Sequence, residues 1–199
     1  MNDPQRPRVC VFCGSSVGIR PEYAEAARQV GSTLALQGVG IVYGGGKVGL
    51  MGVVADAAIE AGGEVIGVIP EPLARKEVAH DGLAELRVVP DMHTRKAMMA
   101  QLSQGFLTLP GGVGTFEEFF EIYTWAVLGL HRKPIGLLNV NGYFDPLLQM
   151  LQRTVDERFL ASQYLDVVRV SDNPAVIASQ LLNHVPPPLG PKWISLAQS

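Results

Sequence analysis

Residues 105–118 read GFLTLPGGVGTFEE, and this stretch decides the fold. It begins with a short and almost continuously apolar run, Gly105–Leu109, which is typical of a β-strand covered on both faces. A glycine-rich turn follows, after which the pattern predicts that a helix begins at Thr115 and continues through Phe116–Leu128. Strand, glycine turn and helix in this order form the repeating unit of a parallel α/β sheet. We therefore expect an α/β protein whose ligand lies beyond the carboxyl end of this strand.

The same alternation extends in both directions from this unit. Further strands are predicted at Arg8–Cys13, Gly40–Tyr43, Glu64–Ile69, Leu86–Val89, Pro134–Asn139 and Val167–Val170. Further helices are predicted at Pro21–Gln37, Gly49–Ala61, Met92–Gln104, Phe144–Phe159 and Pro174–His184. This order predicts a doubly wound, Rossmann-like, mostly parallel sheet with helices on both faces. We expect residues 1–185 to form a single nucleotide-binding domain, followed by a proline-rich and loosely ordered tail over residues 186–199.

Composition narrows the possible partners. The 199 residues include 16 lysines and arginines against 19 acidic residues, so the net charge is −3. This balance argues against a nucleic-acid polymer as partner, because such a partner requires a basic face. Charged residues make up only 18% of the chain, against about 25% in an average soluble domain. The predicted helix 116–128 is apolar nearly all round, which suggests that a second copy of the chain covers it in a homodimer.

The lengths of the apolar runs in the sequence predict where the protein is located. No run reaches the roughly 18 apolar residues of a membrane span, and the first eight residues lack the apolar core of a signal peptide. We therefore expect no membrane contact and a soluble cytoplasmic protein.

Cys10 and Cys13 could form a redox or metal motif, but their spacing within a strand points them to opposite faces. They are predicted to be buried, reduced thiols, and no ligand spacing indicates a metal site.

Two glycine-rich turns precede the one at residues 110–115. The first, Cys13–Ser16, contains Gly14 and Ser15, whose small size lets a ligand approach the backbone, although an ordinary tight turn has the same composition. The second, Gly44–Gly52, contains the pattern G-x-G-x-x-G between a strand and a helix. That pattern is compatible with a dinucleotide fingerprint, a more general nucleotide-contacting loop or a purely structural turn.

The third glycine turn predicts an anion site. Its glycines and Thr115 expose backbone N–H groups at the start of a helix, where the helix dipole favours a phosphate. Glu118 follows three residues after Thr115, a spacing that is also found in a capping box. The carboxylate of Glu118 therefore either caps the helix or faces the hydroxyls of a ribose and the positive charge of its glycosidic transition state.

A short charged segment, Asp91–Lys96, follows the fourth predicted strand. Asp91 is a favourable N-cap residue and faces Arg95 at a spacing of four residues. Arg95 and Lys96 are either a solvated pair on a capped helix or cations that bind a phosphate or orient a carboxylate.

These motifs together resemble the LOG (Lonely Guy) family, cytokinin riboside 5′-monophosphate phosphoribohydrolases that were long described as lysine decarboxylases. Residues 110–118 match its PGGxGTxxE motif, residues 44–52 match GGGxxGxMG, and Arg95-Lys96 and residues 13–15 match two further elements. The resemblance spans roughly residues 9–184 and implies hydrolysis of the N-glycosidic bond of a nucleoside 5′-monophosphate. It implies no metal and no cofactor. It leaves open whether the base is adenine or an N6-prenylated adenine.

The resemblance also implies residue roles. Arg95 and Glu118 would be the catalytic pair, residues 111–115 would bind the 5′-phosphate, and Glu77 would approach the purine. The implied substrate-binding set is Gly14, Ser15, Gly45, Gly46, Met51, Glu77, Lys96, Gly111, Gly112, Val113, Gly114, Thr115 and Glu117. Lysine decarboxylation finds no support, because pyridoxal phosphate chemistry needs a Schiff-base lysine and a partner for the pyridine nitrogen. Two alternatives remain, a non-catalytic nucleotide or molybdopterin carrier and an NAD-dependent oxidoreductase.

Overall fold

The structure is a computed structural model that describes residues 6–74 and 79–186. Within these ranges the strands are β1 (Arg8–Phe12), β2 (Gly40–Tyr43), β3 (Val65–Pro70), β4 (Glu85–Val89), β5 (Gly105–Thr108), β6 (Ile135–Leu138) and β7 (Val168–Ser171). The helices are α1 (Pro21–Leu36), α2 (Gly49–Glu60), α3 (Glu71–Ala74), α4 (Met92–Leu102), α5 (Val113–Val127), α6 (Asp145–Asp156) and α7 (Pro174–Leu182). Two 3₁₀ turns, Val140–Gly142 and Ser162–Val167, lie on either side of α6.

The strands form one sheet in the order β4-β3-β2-β1-β5-β6-β7, and all neighbouring strands in it run parallel. The predicted doubly wound α/β fold is confirmed. From β1 the chain first builds outward to β4 and then returns to add β5 on the other side. Ligands of such sheets bind outside the carboxyl ends of the strands at this reversal, which here is the crevice between β1 and β5.

Helices cover both faces of the sheet. One hydrophobic core joins α1, α2 and α7 to one face, and a second core joins α4, α5 and α6 to the other. Alternation along β1 sends Cys10 into the second core, whereas Cys13 at its end belongs to the first. Both cysteines are free and buried, as predicted, and burial raises the pKa of each thiol. These thiols therefore stay neutral at physiological pH.

Helices α1 and α2 pack very closely. A Cβ atom at Gly31 would lie only 2.4 Å from the backbone oxygen of Val54, so only glycine fits this crossing. Pro21 starts α1 at a position where a missing N–H costs nothing, and Gly38 with φ of +72° follows its end. The packing holds together the two glycine turns that precede these helices.

Helix α5 begins earlier than the sequence predicted. Gly112 is its N-cap and Val113 its first residue, so Thr115 already lies inside the helix. The N–H of Phe116 donates to the carbonyl of Gly112 at 3.1 Å. The capping-box interpretation of Thr115 and Glu118 is therefore wrong, because the N-cap lies three residues before Thr115. Glu118 lies in the second turn of the helix and is available for another interaction.

None of the helices in the two described ranges is both long enough and apolar enough to cross a bilayer.

Candidate active site

A cavity of about 290 Å³ lies at the crevice between β1 and β5. The loop after β1 forms one wall and the loop after β5 forms the other, and the N–H of Gly14 joins them by donating to the carbonyl of Pro110 at 3.0 Å. Its lining comprises Gly14, Ser15, Ser16, Val17, Gly18, Tyr23, Leu50, Pro110, Gly111, Gly112 and Tyr143. Four of the predicted binding residues, from two distant glycine turns, thus meet at one cavity.

The glycines of the loop after β5 and the first turn of α5 differ in the space around them. A Cβ atom at Gly111 would lie 2.2 Å from Oγ1 of Thr115 and 2.8 Å from the backbone nitrogen of Gly14, so close packing excludes a side chain. A Cβ atom at Gly112 or Gly114 would meet no atom of the described residues within 4 Å. Glycine inside a helix costs about 1 kcal/mol relative to alanine. Open space here therefore indicates room for a ligand against the first N–H groups of α5.

An anion is the ligand that this helix end favours. Gly112 has no side chain with which to cap α5, so the orphan N–H groups of the first turn remain available. These groups and the positive end of the helix dipole attract a phosphate. Val113, in the same turn, is 85% exposed.

Two tyrosines that the sequence analysis missed belong to this cavity. The hydroxyl of Tyr143 donates to the carbonyl of Gly111 at 2.5 Å, which fixes the loop after β5. Tyr23 packs edge-on against Tyr143, with 5.7 Å between the ring centroids. Tyr143 follows β6, the neighbour of β5, so its position after a strand end was the one available signal.

A buried ion pair lies one helical turn further along α5. Arg95 on α4 and Glu118 on α5 approach to 3.3 Å between Nη2 and Oε1, and their side chains are only 11% and 9% exposed. Arg95 is therefore no part of a solvated surface pair. The predicted N-cap of α4 does form, since the carboxylate of Asp91 accepts from the N–H of Thr94 at 2.8 Å.

The guanidinium of Arg95 has N–H donors that its contact with Glu118 does not use. Its Nη1 donates to the sulfur of Met92 at 3.6 Å, whereas its Nε is buried without a partner among the described residues. The group lies directly against the second glycine turn, because a Cβ atom at Gly44 would be 2.2 Å from Nη2 and 3.2 Å from the sulfur of Met51. Arg95 can therefore hold Glu118 and still bind an oxygen of a ligand.

Burial controls the protonation of Glu118. Desolvation raises the pKa of this carboxyl to about 7, although the positive charge of Arg95 opposes the shift. A carboxyl with this pKa can take up or release a proton near neutral pH, which is the property of a general acid or base.

Lys96 lies beside this pair with two acidic partners. Its ammonium contacts the carboxylate of Glu117 and also that of Glu121, the latter at 3.0 Å, and its side chain is 9% exposed. Burial by itself would lower the pKa of Lys96, but the hydrogen bonds to Glu117 and Glu121 outweigh it and raise that pKa. Sequence analysis missed Glu121, whose signal was its position one turn after Glu117 on the same helix.

The remaining predicted residues are Gly45, Gly46 and Glu77. The carbonyl of Gly45 accepts from the N–H of His80 at 2.9 Å, and Gly46 forms an isolated bridge with Ala79, so both contact the segment that precedes β4. Glu77 lies outside the described residues. In the part of the chain that is described, no group of three or more potential ligands is placed to hold a metal ion.

Comparison with known proteins adds a family and a fold. The family model described as possible lysine decarboxylase matches residues 51–181. Cytokinin riboside 5′-monophosphate phosphoribohydrolase LOG7 from Arabidopsis thaliana is 46% identical over 179 residues, which cover 90% of this chain and 82% of the relative. A relative of the same name from Oryza sativa subsp. japonica, LOG, is 44% identical over 179 residues, 90% of this chain and 74% of the relative.

Solved structures show the same fold at greater distance. The molybdenum cofactor binding protein from Rippkaea orientalis is 21% identical with a TM-score of 0.67, and the match covers 90% of this chain and 97% of that chain. The molybdenum cofactor carrier protein from Chlamydomonas reinhardtii is 23% identical with a TM-score of 0.67, and covers 90% of this chain and 100% of that chain. At these identities the likeness extends to the fold alone.

The buried carboxyl predicts a pH-dependent stability. The pKa of Glu118 is about 7 in the folded chain against 4.5 for the free group, so the folded state loses stability as the pH rises between these values. One pKa unit corresponds to about 1.4 kcal/mol, so Glu118→Gln should gain up to about 3 kcal/mol relative to the wild type between pH 4.5 and pH 8. Urea unfolding at both pH values measures this difference. Glu25→Gln, an exposed carboxylate on α1, is the matched control, and an equal pH dependence of the wild type and Glu118→Gln would contradict the prediction.

Proposed function

The chain belongs to the LOG family of cytokinin riboside 5′-monophosphate phosphoribohydrolases, and we propose that it hydrolyses the N-glycosidic bond of adenosine 5′-monophosphate or an N6-modified form of it. The products are the free base and ribose 5-phosphate. The observation that carries this proposal is the buried Arg95–Glu118 pair one helical turn from a glycine-lined anion site.

The 5′-phosphate binds at the first turn of α5. The N–H groups of residues 111–115 and the positive end of the helix supply its hydrogen bonds, and Gly112 and Gly114 leave space for it. Ser15 and the rest of the loop after β1 form the opposite wall. Because the phosphate is held away from the reacting bond, its binding energy serves to orient the ribose.

Glu118 carries the chemistry at the ribose. Its carboxylate binds a ribose hydroxyl and accepts a proton from the attacking water, whose oxygen forms the new bond to C1′. The bond from C1′ to the base breaks, and the base leaves with the bonding electrons and takes up a proton. The transition state resembles an oxocarbenium ion, which a nearby carboxylate stabilises. Arg95 orients Glu118 and, through its guanidinium, holds the nucleotide.

Lysine decarboxylation is disfavoured by the state of Lys96. Chemistry through pyridoxal phosphate starts from a lysine amine that forms a Schiff base. Lys96 is the buried lysine of this site, but Glu117 and Glu121 hold it as an ammonium ion. Such a lysine is a poor nucleophile.

The proposal also covers the domain organisation, the cellular location and the oligomeric state of the protein. Residues 1–185 would act as a single unit, with the tail from residue 186 outside the site; residues 187–199 lie outside the described part of the chain. A cytoplasmic location agrees with two free cysteines, since thiols stay reduced in that compartment. The outward side of α5 and the turn after it expose Phe120, Leu128 and Leu130, which supports a homodimer through this helix.

Base release tests the activity directly. The wild type should convert adenosine 5′-monophosphate and its N6-isopentenyl form to free base, measured by chromatography with both substrates side by side. Glu118→Gln should lose about 10²–10⁴-fold in kcat, the range expected for loss of a general base, while nucleotide binding persists. Glu25→Gln is the control and should keep full activity. Tight nucleotide binding without base release would identify a carrier, and binding of NAD with a nicotinamide signal would identify an oxidoreductase.

Gly44→Ala tests the position of Arg95. The added Cβ would lie 2.2 Å from Nη2 of Arg95, the mobile end of a long side chain, so the chain should fold while the guanidinium moves. A misplacement of about 1 Å can cost about 100-fold in rate, so kcat should fall by 10- to 100-fold. Gly40→Ala is the matched control, because its Cβ would lie 2.5 Å from Oε2 of Glu64 at the opposite end of β2. Equal kcat values for the two variants would contradict the proposed position.

The homodimer has its own test. Light scattering at micromolar concentration should give twice the chain mass for the wild type and the chain mass for Phe120→Asp, because Phe120 is 38% exposed on α5. Phe159→Asp, at a more exposed phenylalanine after α6, should leave the dimer intact. A monomeric wild type would overturn this part of the proposal.

A further inference from the structure

The contacts between α4 and α5 come in two adjacent layers. Arg95 pairs with Glu118, and the next residue on α4, Lys96, pairs with Glu117 and Glu121. The second layer thus flanks the proposed catalytic pair on both helices. Of its three members, Glu121 is the one that neither the family motif nor the proposed mechanism uses.

We propose that Glu121 is a positioning residue for the hydrolysis, which acts through Lys96 on the orientation and charge state of Glu118. The inference rests on the proposed function, because it assigns a task within the same site. It has two requirements. Glu121 must hold the ammonium of Lys96 in position, and the negative charge of Glu121 must act on the ionisation of Glu118. Each requirement has separate support.

Geometry supports the first requirement. The ammonium of Lys96 has three donors, and its contacts with Glu117 and Glu121 engage two of them from successive turns of α5. Lys96 is 9% exposed, whereas the side chain of Glu121 is 25% exposed and that of Glu117 is 50% exposed. The cation is therefore the buried partner, and two carboxylates nearer the solvent fix its direction. Glu121 thus holds the ammonium of Lys96 in the layer next to the Arg95–Glu118 contact.

Charge supports the second requirement. The groups that act on Glu118 are Arg95 and Lys96 from α4, and Glu117 and Glu121 from its own helix. From β1, Cys10 and Cys13 also face it, but both thiols are neutral because burial raises their pKa. Two cations and two carboxylates thus act on Glu118, so their formal charges balance. Within this balance the negative charge of Glu121 acts in the same direction as burial and favours the protonated form of Glu118, whereas Lys96 acts against it.

Two substitutions should therefore change the titration of Glu118 in opposite directions. In Glu121→Gln one repelling charge is lost, so Glu118 should ionise at lower pH. In Lys96→Met an attracting charge is lost, so Glu118 should ionise at higher pH. At an effective dielectric constant near 20 such a neighbouring charge moves a midpoint by about half a pH unit or more.

The experiment measures kcat for base release from adenosine 5′-monophosphate between pH 4.5 and pH 9. Because the reaction needs ionised Glu118, the acid limb of the profile reports its titration. That limb should move to lower pH in Glu121→Gln and to higher pH in Lys96→Met. Glu121→Asp retains the charge and should keep the midpoint of the wild type, as should the control Glu25→Gln.

A second readout separates this inference from the proposed function. In protein labelled with ¹³C-glutamate, NMR follows the Glu118 carboxyl carbon, assigned from its loss in Glu118→Gln, and needs no turnover. If the wild type releases no base, the proposed hydrolysis is wrong, and the NMR midpoints still decide whether Glu121 controls Glu118. If Glu121→Gln lowers kcat equally at all pH values with both midpoints unmoved, Glu121 is merely structural and the inference is overturned. Should Glu121→Gln not fold, the upward shift in Lys96→Met tests the same linkage, and an unmoved midpoint there overturns it.

Discussion

The buried contact between Arg95 and Glu118 is the constraint on which the rest of the site depends. Moving two charges out of water costs desolvation free energy. A buried ion pair recovers that cost only when its geometry is good and its remaining hydrogen-bonding groups have partners. Gly44 provides the space for the guanidinium, and the second layer of charges around Lys96 holds the two helices in register. The unused donor at Nε of Arg95 is the part that the described protein leaves unsatisfied.

The sheet explains how the two halves of the site meet. Because β5 is added directly beside β1, the loops after these strands face each other across the crevice, and α5 starts at its edge. The early start of α5 at Val113 has a chemical consequence. It places the free N–H groups at the cavity and Glu118 in the second turn, so one helix presents a candidate anion site at its end and a buried carboxyl further along.

Local patterns predicted most of the fold but only part of the site. Strands such as β2 appear with the predicted ends, since a buried parallel strand is a continuous apolar run between polar turns. The start of α5 was misjudged because Gly112 resembles a loop residue, although an extended glycine can serve as an N-cap. The partner of Arg95 was beyond local analysis. Spacing along one helix suggested Asp91, whereas Glu118 lies 23 positions away on another helix, and only the packing of α4 against α5 brings the two together.

Glu118 lowers the stability of the folded chain by the same property that suits it to acid–base chemistry. Its raised pKa means that the folded chain is less stable at neutral pH than it would be with a neutral side chain in this position. The same shift gives the carboxyl a proton affinity suited to acid–base chemistry near neutral pH. Stability and reactivity therefore make opposite demands on one group. The close packing of α1 on α2 and the two apolar cores supply stability from many other residues, so the fold can tolerate one destabilising carboxyl where the proposed chemistry requires it.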